Sequence, residues 1–487
     1  MSAASPGASP AARGGDATPI ARELIALALP ILASQALRLA FQWIDALWVR
    51  GLGVRATAAI TTSVFVMWCV YALNDVFGVG LSAYVSQLIG AGERERAGLA
   101  AWKGIRAAFV MGVCAAIGGG FFARDIFRLM DPAGTVVEEG AAYLRVVLLG
   151  APLLMTALSC ESVLRAAGDT RTPLRIDALA IALNAVLAPL FIYGAGPVPR
   201  MGVVGAALAT VFAQGVMFAC YVVLAWRRHP SFPLARRAPG PPVHIGGLAR
   251  VGVPAALISI LFSVVYIAFV RSASAHGVAA IAVVGVANRI EAIQFIVSAA
   301  IGLAAASILG RSLGAGRPDR AVAVIRTGQR WAFVLATVMS VLFLVVPRFF
   351  LAMFTQDPAA FAIGVPYLRI LAFAVIPTAI EVVTAEAVIG SGHTTAISVI
   401  FSVFSLARIP LAFLVPRWTH SGVLGIAGLI SVTCWLRAAC ILAWVARGTW
   451  RGGLAGTLHG ESHAAAQAVS HAATHAASHD AAGPPPA

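Results

Sequence analysis

The sequence GVGLSAYVSQLIGAGERERA at residues 78–97 returns in similar form as GLAAASILGRSLGAGRPDRA at residues 302–321. Both stretches are apolar and rich in small residues, and both end in a Gly-Ala-Gly turn followed by charged residues. We call the spacing from position 78 to position 302 the repeat offset. Pro30 with Pro254 and Gly168 with Gly392 are further pairs at this offset. One offset shared by several separated segments predicts two homologous halves.

The composition places these halves in a membrane. Of the 487 residues, 60% are hydrophobic and only 11% are charged, whereas a soluble domain has roughly 25% charged residues. The apolar runs are long enough to cross a bilayer, where each segment must satisfy its own backbone as a helix. The net charge of +15 is spread between the apolar runs, which disfavours a nucleic-acid surface.

The alternation of apolar runs and helix breakers predicts an all-α polytopic membrane protein with twelve transmembrane spans. We expect an N-terminal tail (1–19), an N-lobe (20–227), a linker (228–245), a C-lobe (246–446) and a His/Ala-rich C-terminal tail (447–487), the two tails being disordered. The predicted spans are 20–49, 56–88, 97–123, 139–166, 174–195, 203–227, 246–273, 277–309, 321–346, 360–389, 396–415 and 421–446.

The even number of spans puts both termini on one side of the membrane. Lys and Arg are more frequent in the loops of that side, so the positive-inside rule predicts that it is cytoplasmic. Six spans in each half make the two halves parallel repeats, related by a pseudo-two-fold axis along the membrane normal. We therefore expect a multi-pass protein of the bacterial inner membrane, with its site between the halves.

The chain resembles the multidrug and toxic compound extrusion (MATE) family. The segments that carry the resemblance are LALPILASQALRLAFQWIDALWVRGLG (27–53), GVGLSAYVSQLIGAGERERA (78–97), VLRAAGDTRTP (163–173), LNAVLAPLFIYG (183–194), AIGLAAASILGRSLGAGRPDRA (300–321), EAVIGSGHTTA (386–396) and ARIPLAFLV (407–415). The resemblance implies a two-lobed antiporter that exports amphiphilic, cationic drugs or metabolites in exchange for H⁺ or Na⁺. It implies no ATP hydrolysis and no cofactor beyond the coupling ion, and a monomer suffices.

Ionisable and polar residues inside the spans are candidates for ion coupling, because such groups are costly in a bilayer. Asp45 in span 1 matches the position where the family carries its coupling acid, and it can take up a proton from outside. Asn184 in span 5 matches a family asparagine, although Ala188 stands where several members have a second aspartate. Glu291 in span 8 and Glu381 in span 10 are the candidates of the second half.

A second group of residues is predicted to contact the substrate: Arg38, Gln42, Asp75, Phe41 and Tyr71. Arg38 lies two helical turns before Asp45 on the same face, and an arginine at mid-span needs a partner. Gln42 or an acid on another helix can serve. The aromatic rings can stack on flat cations, or they can face lipid.

Other charged residues receive structural interpretations. Glu161 and Glu386 fall near predicted cytoplasmic ends of spans, where solvated or loop-paired carboxylates are expected. Asp177 lies too near the cytoplasmic end of span 5 to replace the second aspartate, whose position Ala188 occupies. No metal site is assigned, although the tail offers a weak alternative, since His459, His463, His471, His475 and His479 are spaced by multiples of four. Such a stripe can bind a transition metal.

Two other classes of protein compete with the antiporter. A flippase of a lipid-linked oligosaccharide or cell-envelope precursor is favoured by the basic residues Arg38, Arg289 and Arg408, although such flippases often have fourteen spans. An integral-membrane enzyme is disfavoured, because no His, Asp or Glu cluster has catalytic spacing. The sequence thus predicts a transporter that is not an enzyme.

Overall fold

The computed structural model describes residues 19–130, 137–194, 196–353 and 357–454. These residues form fourteen α-helices and a final 3₁₀ turn at Thr449–Gly452, which confirms the predicted all-α fold. The helices are α1 (Ile20–Arg50), α2 (Val54–Gly90), α3 (Arg94–Met130), α4 (Val137–Leu149), α5 (Ala151–Ala166), α6 (Arg171–Tyr193), α7 (Gly202–Trp226), α8 (Ile245–Ser274), α9 (Val278–Gly314), α10 (Pro318–Val345), α11 (Pro347–Ala352), α12 (Pro358–Ile389), α13 (Thr394–Trp418) and α14 (Leu424–Ala446).

Eleven of the described helices are long and apolar enough to cross a membrane, and α4 with α5 makes a twelfth span. The predicted single helix over 139–166 is wrong in one respect, because the chain bends by 48° between α4 and α5. Gly150 lies at the break and a proline occupies the first turn of α5, where its missing N–H is tolerated. The hydropathy is continuous across the bend, so the pattern does not reveal it.

The repeat is visible in the backbone as well as in the sequence. Pro30 lies inside α1, and Pro254, its partner at the repeat offset, lies inside α8. Three loops of each half also end or begin with a glycine at positive φ, a conformation that only glycine adopts at little cost. These glycines form pairs at the same offset: Gly53 with Gly277, Gly92 with Gly316, and Gly168 with Gly392.

Helices α1–α7 form the N-lobe and α8–α14 form the C-lobe. The lobes meet mainly where α1 and α2 pack against α8 and α9. Leu24, Leu27 and Ile31, in the first half of α1, belong to the hydrophobic core of the C-lobe. Small residues allow the backbones to approach closely: a Cβ at Gly252 of α8 would overlap the carbonyl oxygen of Val76 in α2.

These contacts lie toward one end of the bundle, which we call the terminal face. It carries Pro19, the loops 91–93, 167–170, 227–244, 315–317 and 390–393, and the last described residue, Leu454. Glu23 of α1 ties the lobes there, because its carboxylate accepts hydrogen bonds from Arg311 of α9 (3.1 Å) and Arg320 of α10 (2.6 Å). The terminal face is therefore closed.

The segment after α14 completes this closure and differs from the predicted disordered tail. Trp450 is only 1% exposed, and the backbone N–H of Leu454 donates to Gln87 Oε1 of α2 at 2.7 Å. Gln87 in turn donates from Nε2 to the carbonyl of Gly390 after α12, also at 2.7 Å. Residues 447–454 thus join both lobes, and we call them the C-terminal seal.

The predicted linker is also packed against the N-lobe. Phe232 and Val243 are buried, and Lys103 of α3 donates a hydrogen bond to the carbonyl of Val243 at 2.8 Å. The connection between the lobes is therefore anchored on the terminal face.

Candidate functional site

Arg38 is the centre of a charged cluster in the N-lobe. Its Nη2 donates to Glu161 Oε2 of α5 at 2.6 Å and to Asp177 Oδ2 of α6 at 2.9 Å. Arg165, one turn after Glu161, donates to the second oxygen of that carboxylate. We call Arg38, Glu161, Arg165 and Asp177 the N-lobe charge cluster. Its two guanidinium groups and two carboxylates have a formal sum of zero.

The burial of the cluster is uneven. The side chain of Arg38 is 32% exposed, whereas those of Glu161 and Asp177 are 4% and 3% exposed. A charged group at mid-span faces a water-filled space or the bundle interior, and the partial exposure of Arg38 agrees with this rule. The prediction of a solvated or loop-paired Glu161 is wrong, because arginines hold this acid inside the bundle, and Asp177 is held in the same way.

A second polar layer crosses between the lobes. Ser259 of α8 donates to Asp75 Oδ2 of α2 at 3.0 Å. Glu386 of α12 is near enough to Asp75 and Arg165 to interact with both electrostatically, and it is half-buried. The prediction of a solvated or loop-paired Glu386 is therefore also wrong.

Farther from the terminal face, α8 and α9 of the C-lobe carry a group of aromatic side chains. Tyr266 of α8 donates its hydroxyl proton to Glu291 Oε2 of α9 at 2.8 Å. Phe262 stacks on Tyr266 with ring centroids 5.0 Å apart, and Phe295 lies 6.5 Å from Phe262. Phe262 and Phe295 are exposed, as is Tyr71 of α2 in the N-lobe. Tyr71 interacts electrostatically with Arg38.

Phe262 and Phe295 occupy the positions that follow Arg38 and Tyr71 by the repeat offset. At these equivalent positions the N-lobe therefore carries a cation and a phenol, whereas the C-lobe carries two phenyl rings. These repeat-related positions are therefore polar in the N-lobe and apolar in the C-lobe.

Glu381 forms a buried ion pair with Arg437. Its Oε1 lies 2.6 Å from Nε of Arg437 in α14, and the Arg437 guanidinium lies over the ring of Phe401, 4.3 Å from its centroid. Arg408 of α13 donates from Nε to Thr433 Oγ1 at 2.8 Å. These contacts give Arg408 a structural role within the C-lobe.

Asn184 joins two helices of the N-lobe. Its Nδ2 donates to Thr210 Oγ1 of α7 at 3.3 Å, and Ala188 one turn later is buried against apolar neighbours. The structure does not bring Asn184 together with Glu291 or Glu381, which lie in the other lobe.

Several sequence-based candidates fall outside what the structure describes. The side chains of Asp45 and Gln42 lie outside the described residues, although both belong to α1. The five tail histidines, His459 to His479, also lie outside them. Phe41 is half-buried in α1. Within the described part of the chain, no group of three or more His, Cys, Asp or Glu side chains is placed to hold a metal ion.

Sequence reasoning missed three residues that complete these arrangements. Arg165, Tyr266 and Arg437 each pair with an acid that the sequence had singled out. Arg165 was detectable, because it follows Glu161 by four residues on one helix and such pairs face each other. The pairing of Glu381 with Arg437 joins distant helices, and nothing in a single sequence indicates it.

The chain is similar to several curated bacterial transporters. It is 27% identical over 412 residues to the probable multidrug resistance protein YoeA of Bacillus subtilis, covering 83% of this chain and 89% of that protein. It is 27% identical to the FAD transporter of Shewanella oneidensis, with 85% and 90% covered. It is 28% identical to the probable multidrug resistance protein NorM of Thermotoga maritima, with 83% and 88% covered.

Solved structures share the fold. A MOP superfamily transporter from Pyrococcus furiosus, described as having a binding pocket of reverse polarity, superposes with a TM-score of 0.81 at 23% identity, covering 88% of this chain and 95% of that one. A MATE transporter in its bent conformation gives a TM-score of 0.82 at 23% identity, covering 91% and 100%. At this identity the likeness establishes the two-lobed architecture alone.

The MatE family model matches the chain twice, over residues 30–190 and again over 254–414. The second match begins and ends at the repeat offset from the first, and together the two cover most of both lobes. The family consists of multi-pass membrane transporters that bind small molecules and are not enzymes. This chain belongs to the MatE family of efflux transporters.

Proposed function

We propose that this chain is a secondary active exporter that exchanges an amphiphilic, cationic drug or metabolite for H⁺ or Na⁺. The observation that carries the proposal is the interface between the lobes, which is closed at the terminal face and carries exposed aromatic rings and ionisable groups beyond Asp75. A flat, positively charged molecule fits such a wall, because it can stack on Phe262 and Phe295 and lie near buried acids.

The proposed cycle is alternating access of the two lobes. With both termini in the cytoplasm of a bacterial cell, the closed terminal face is the inner one and the space between the lobes opens outward. Reversal requires the terminal contacts of Glu23 and of the C-terminal seal to part, while α1, α2, α8 and α9 close at their other ends. One chain contains both walls, so a monomer is sufficient.

Asp45 remains the first candidate for the coupling group, on the strength of its position in α1. In the outward-open form it would load the ion from outside, and the loaded form would release the substrate. Glu291, hydrogen bonded to Tyr266, is the candidate of the C-lobe. Glu381 is a weaker candidate because Arg437 already neutralises it, and Asn184 is weaker because it only bridges α6 and α7.

The deciding experiment is efflux of ethidium from proteoliposomes under a pH gradient or a Na⁺ gradient, each imposed alone. Wild type should export ethidium under at least one gradient, and Asp45→Asn should lose the gradient-driven part. Asp125→Asn is a matched control, because this aspartate is exposed in α3 and pairs only loosely with Arg128. Efflux in Asp45→Asn equal to wild type would remove Asp45 from the cycle.

One observation favours a second candidate, a flippase of a lipid-linked oligosaccharide or cell-envelope precursor. The exposed member of the N-lobe charge cluster is a guanidinium, Arg38, which attracts phosphate rather than a cation. Among the similar proteins, the FAD transporter of Shewanella oneidensis is named for a phosphorylated substrate. If ethidium is not exported under either gradient, translocation of a fluorescent polyprenyl diphosphate across the vesicle bilayer is the next measurement.

A further inference from the structure

We propose that the first half of α10 and the C-terminal seal together bind the headgroup phosphate of an anionic phospholipid, and that this lipid fastens the seal to the terminal face. Three arginines around one cavity carry the proposal: Arg326, Arg330 and Arg451. Neither the exported substrate nor the coupling ion enters into it, so it goes beyond the proposed function and can be tested separately.

The cavity lies where the C-terminal seal meets α10. Its volume is about 440 Å³, which is within the range of small-molecule sites. Six of its lining residues belong to α10 between Asp319 and Arg330, and the seventh is Arg451 of the seal. The six are spaced by three or four positions, so they share one face of the helix. One wall of the cavity thus belongs to the C-lobe and the other to the seal.

The cavity has an excess of positive charge. Arg326, Arg330 and Arg451 contribute three positive charges and Asp319 contributes one negative charge. Among the described residues, none of the three arginines has an ion-pair partner. Asp319 lies in the first turn of α10, about 10 Å along the helix axis from Arg326. The arginines are therefore free to bind an anion.

Three guanidinium groups around one cavity suit a phosphate. A guanidinium fork can donate two parallel hydrogen bonds to phosphate oxygens, and basic pockets beside membrane helices bind anionic headgroups in this way. A choline headgroup brings its own positive charge, which the arginines repel. An anionic phospholipid should therefore be preferred over a zwitterionic one.

The surface of α10 beyond the cavity favours a lipid over a soluble phosphate. The helix is long and apolar enough to cross a membrane, and every exposed side chain after Arg330 is apolar. Phe333 and Val334 lie one turn after Arg330, and Val338 lies one turn further, so they continue the face of the arginines. A lipid whose phosphate lies at Arg330 can place an acyl chain on this strip, and burial of apolar surface stabilises the contact.

The same lipid would join elements that already meet at the closed terminal face. Leu454, three residues after Arg451, donates its backbone N–H to Gln87 of α2. A phosphate bound by Arg451 together with Arg326 and Arg330 adds a link from the seal to α10. Because a ligand shifts a protein toward the form that binds it better, the anionic lipid should favour the closed terminal face.

The first test is the affinity for phosphatidylglycerol, measured by native mass spectrometry on the full-length purified protein in detergent. Wild type should bind phosphatidylglycerol more tightly than phosphatidylcholine. Arg326→Gln/Arg330→Gln should bind it about tenfold more weakly, because each arginine near an anionic headgroup contributes several-fold. Arg451→Gln should show a smaller loss in the same direction.

Arg227→Gln/Arg228→Gln is the matched control. It removes the same charge from two exposed arginines elsewhere on the terminal face, and it should bind phosphatidylglycerol as wild type does. A loss as large as that of Arg326→Gln/Arg330→Gln would mean that the lipid responds to the overall charge of this face, which would overturn the proposal. Wild-type affinity in Arg326→Gln/Arg330→Gln would overturn it as well.

Glycerol phosphate separates a lipid from a free phosphate. It carries the headgroup phosphate without acyl chains, so it should displace phosphatidylglycerol only at far higher concentration. Displacement at equal concentrations would assign the cavity to a soluble phosphate and would contradict the lipid assignment.

The second test is whether the lipid fastens the seal. Leu454 is buried, so in a cysteine-free background the maleimide labelling of Leu454→Cys reports detachment of the seal. Phosphatidylglycerol at ten times its dissociation constant should slow this labelling about tenfold, and phosphatidylcholine should not. The slowing should be absent when Arg326→Gln/Arg330→Gln is added. Labelling that is unaffected by phosphatidylglycerol in the parent protein would show that the lipid does not hold the seal. Ethidium export is not measured in either test, so failure here leaves the proposed function standing.

Discussion

Glu381 and Arg437 face each other inside the C-lobe, with 2.6 Å between Glu381 Oε1 and Arg437 Nε. Their side chains are only 3% and 6% exposed. The pair joins α12 to α14, and the ring of Phe401 covers the guanidinium. An acid that is already neutralised in this way serves first to hold two helices together.

Breaking the Glu381–Arg437 pair from one side should destabilise the protein strongly. Arg437→Leu leaves a buried carboxylate without its counter-charge, and such a loss costs about 3–5 kcal/mol. We expect a clearly lower midpoint of thermal unfolding in detergent. Glu381→Leu/Arg437→Leu should recover most of that loss, because no charge is then left unpaired. A double variant as unstable as the single one would contradict this reasoning.

The approach of α2 and α8 predicts a substitution that opens the terminal face. An alanine methyl group at Gly252 overlaps the carbonyl of Val76, so Gly252→Ala should push the lobes apart. Ser86 is fully buried in α2 near this interface. In a cysteine-free background with Ser86→Cys, Gly252→Ala should raise the rate of maleimide labelling about tenfold, equivalent to ~1.4 kcal/mol.

Gly246→Ala in the same helix is the control for that experiment. A Cβ at Gly246 meets no atom within 4 Å, so its labelling rate should equal that of the parent protein. If the parent, Gly252→Ala and Gly246→Ala proteins were labelled at equal rates, the small size of Gly252 would not be what allows the terminal face to close.

The bridge from Glu23 to Arg311 and Arg320 predicts a smaller effect that depends on salt. These side chains are partly exposed, and such pairs contribute about 0.2–1 kcal/mol. Glu23→Gln should therefore raise the labelling rate at Ser86→Cys by a few-fold at low ionic strength. Because salt screens exposed charges, the difference from the parent should shrink at high salt, whereas the effect of Gly252→Ala should persist.

The C-terminal seal predicts a difference between two truncations. A chain ending at Arg447 loses buried Trp450 and the hydrogen bond from Leu454 to Gln87, and burial of one large apolar side chain contributes about 1.5–3 kcal/mol. It should unfold at lower temperature and label faster at Ser86→Cys. A chain ending at Leu454 keeps these contacts and should match the full-length protein in both measurements.

The fold was predictable from the sequence because long apolar runs and a repeat offset leave few alternatives. The bend at Gly150 was not, since the residues on both sides are equally apolar and only packing separates them. The buried Trp450 was assigned to a disordered tail because the polar and small residues around it resemble the segment that follows.

The candidate site was predictable only in part. An arginine at position 38 needed a partner, either Gln42 or an acid on another helix, but its position along the chain gave no means of choosing among them. Glu161 and Asp177 were set aside because both lie near the predicted cytoplasmic ends of their spans. Their burial follows from the packing of α5 and α6 against α1, which is a property of the assembled lobe.

Leu454 is also a point where mechanical force can act on the transporter. Its backbone N–H is hydrogen bonded to Gln87 of the N-lobe, and its side chain lies against Gly392 of the C-lobe. Anything attached beyond it, such as a fluorescent protein, a surface anchor or a binding partner, is joined to the contact that must part when the terminal face opens. A force applied to that attachment acts directly on this contact. The rate of the transport cycle can therefore be changed through the C-terminal segment, from outside the lobes.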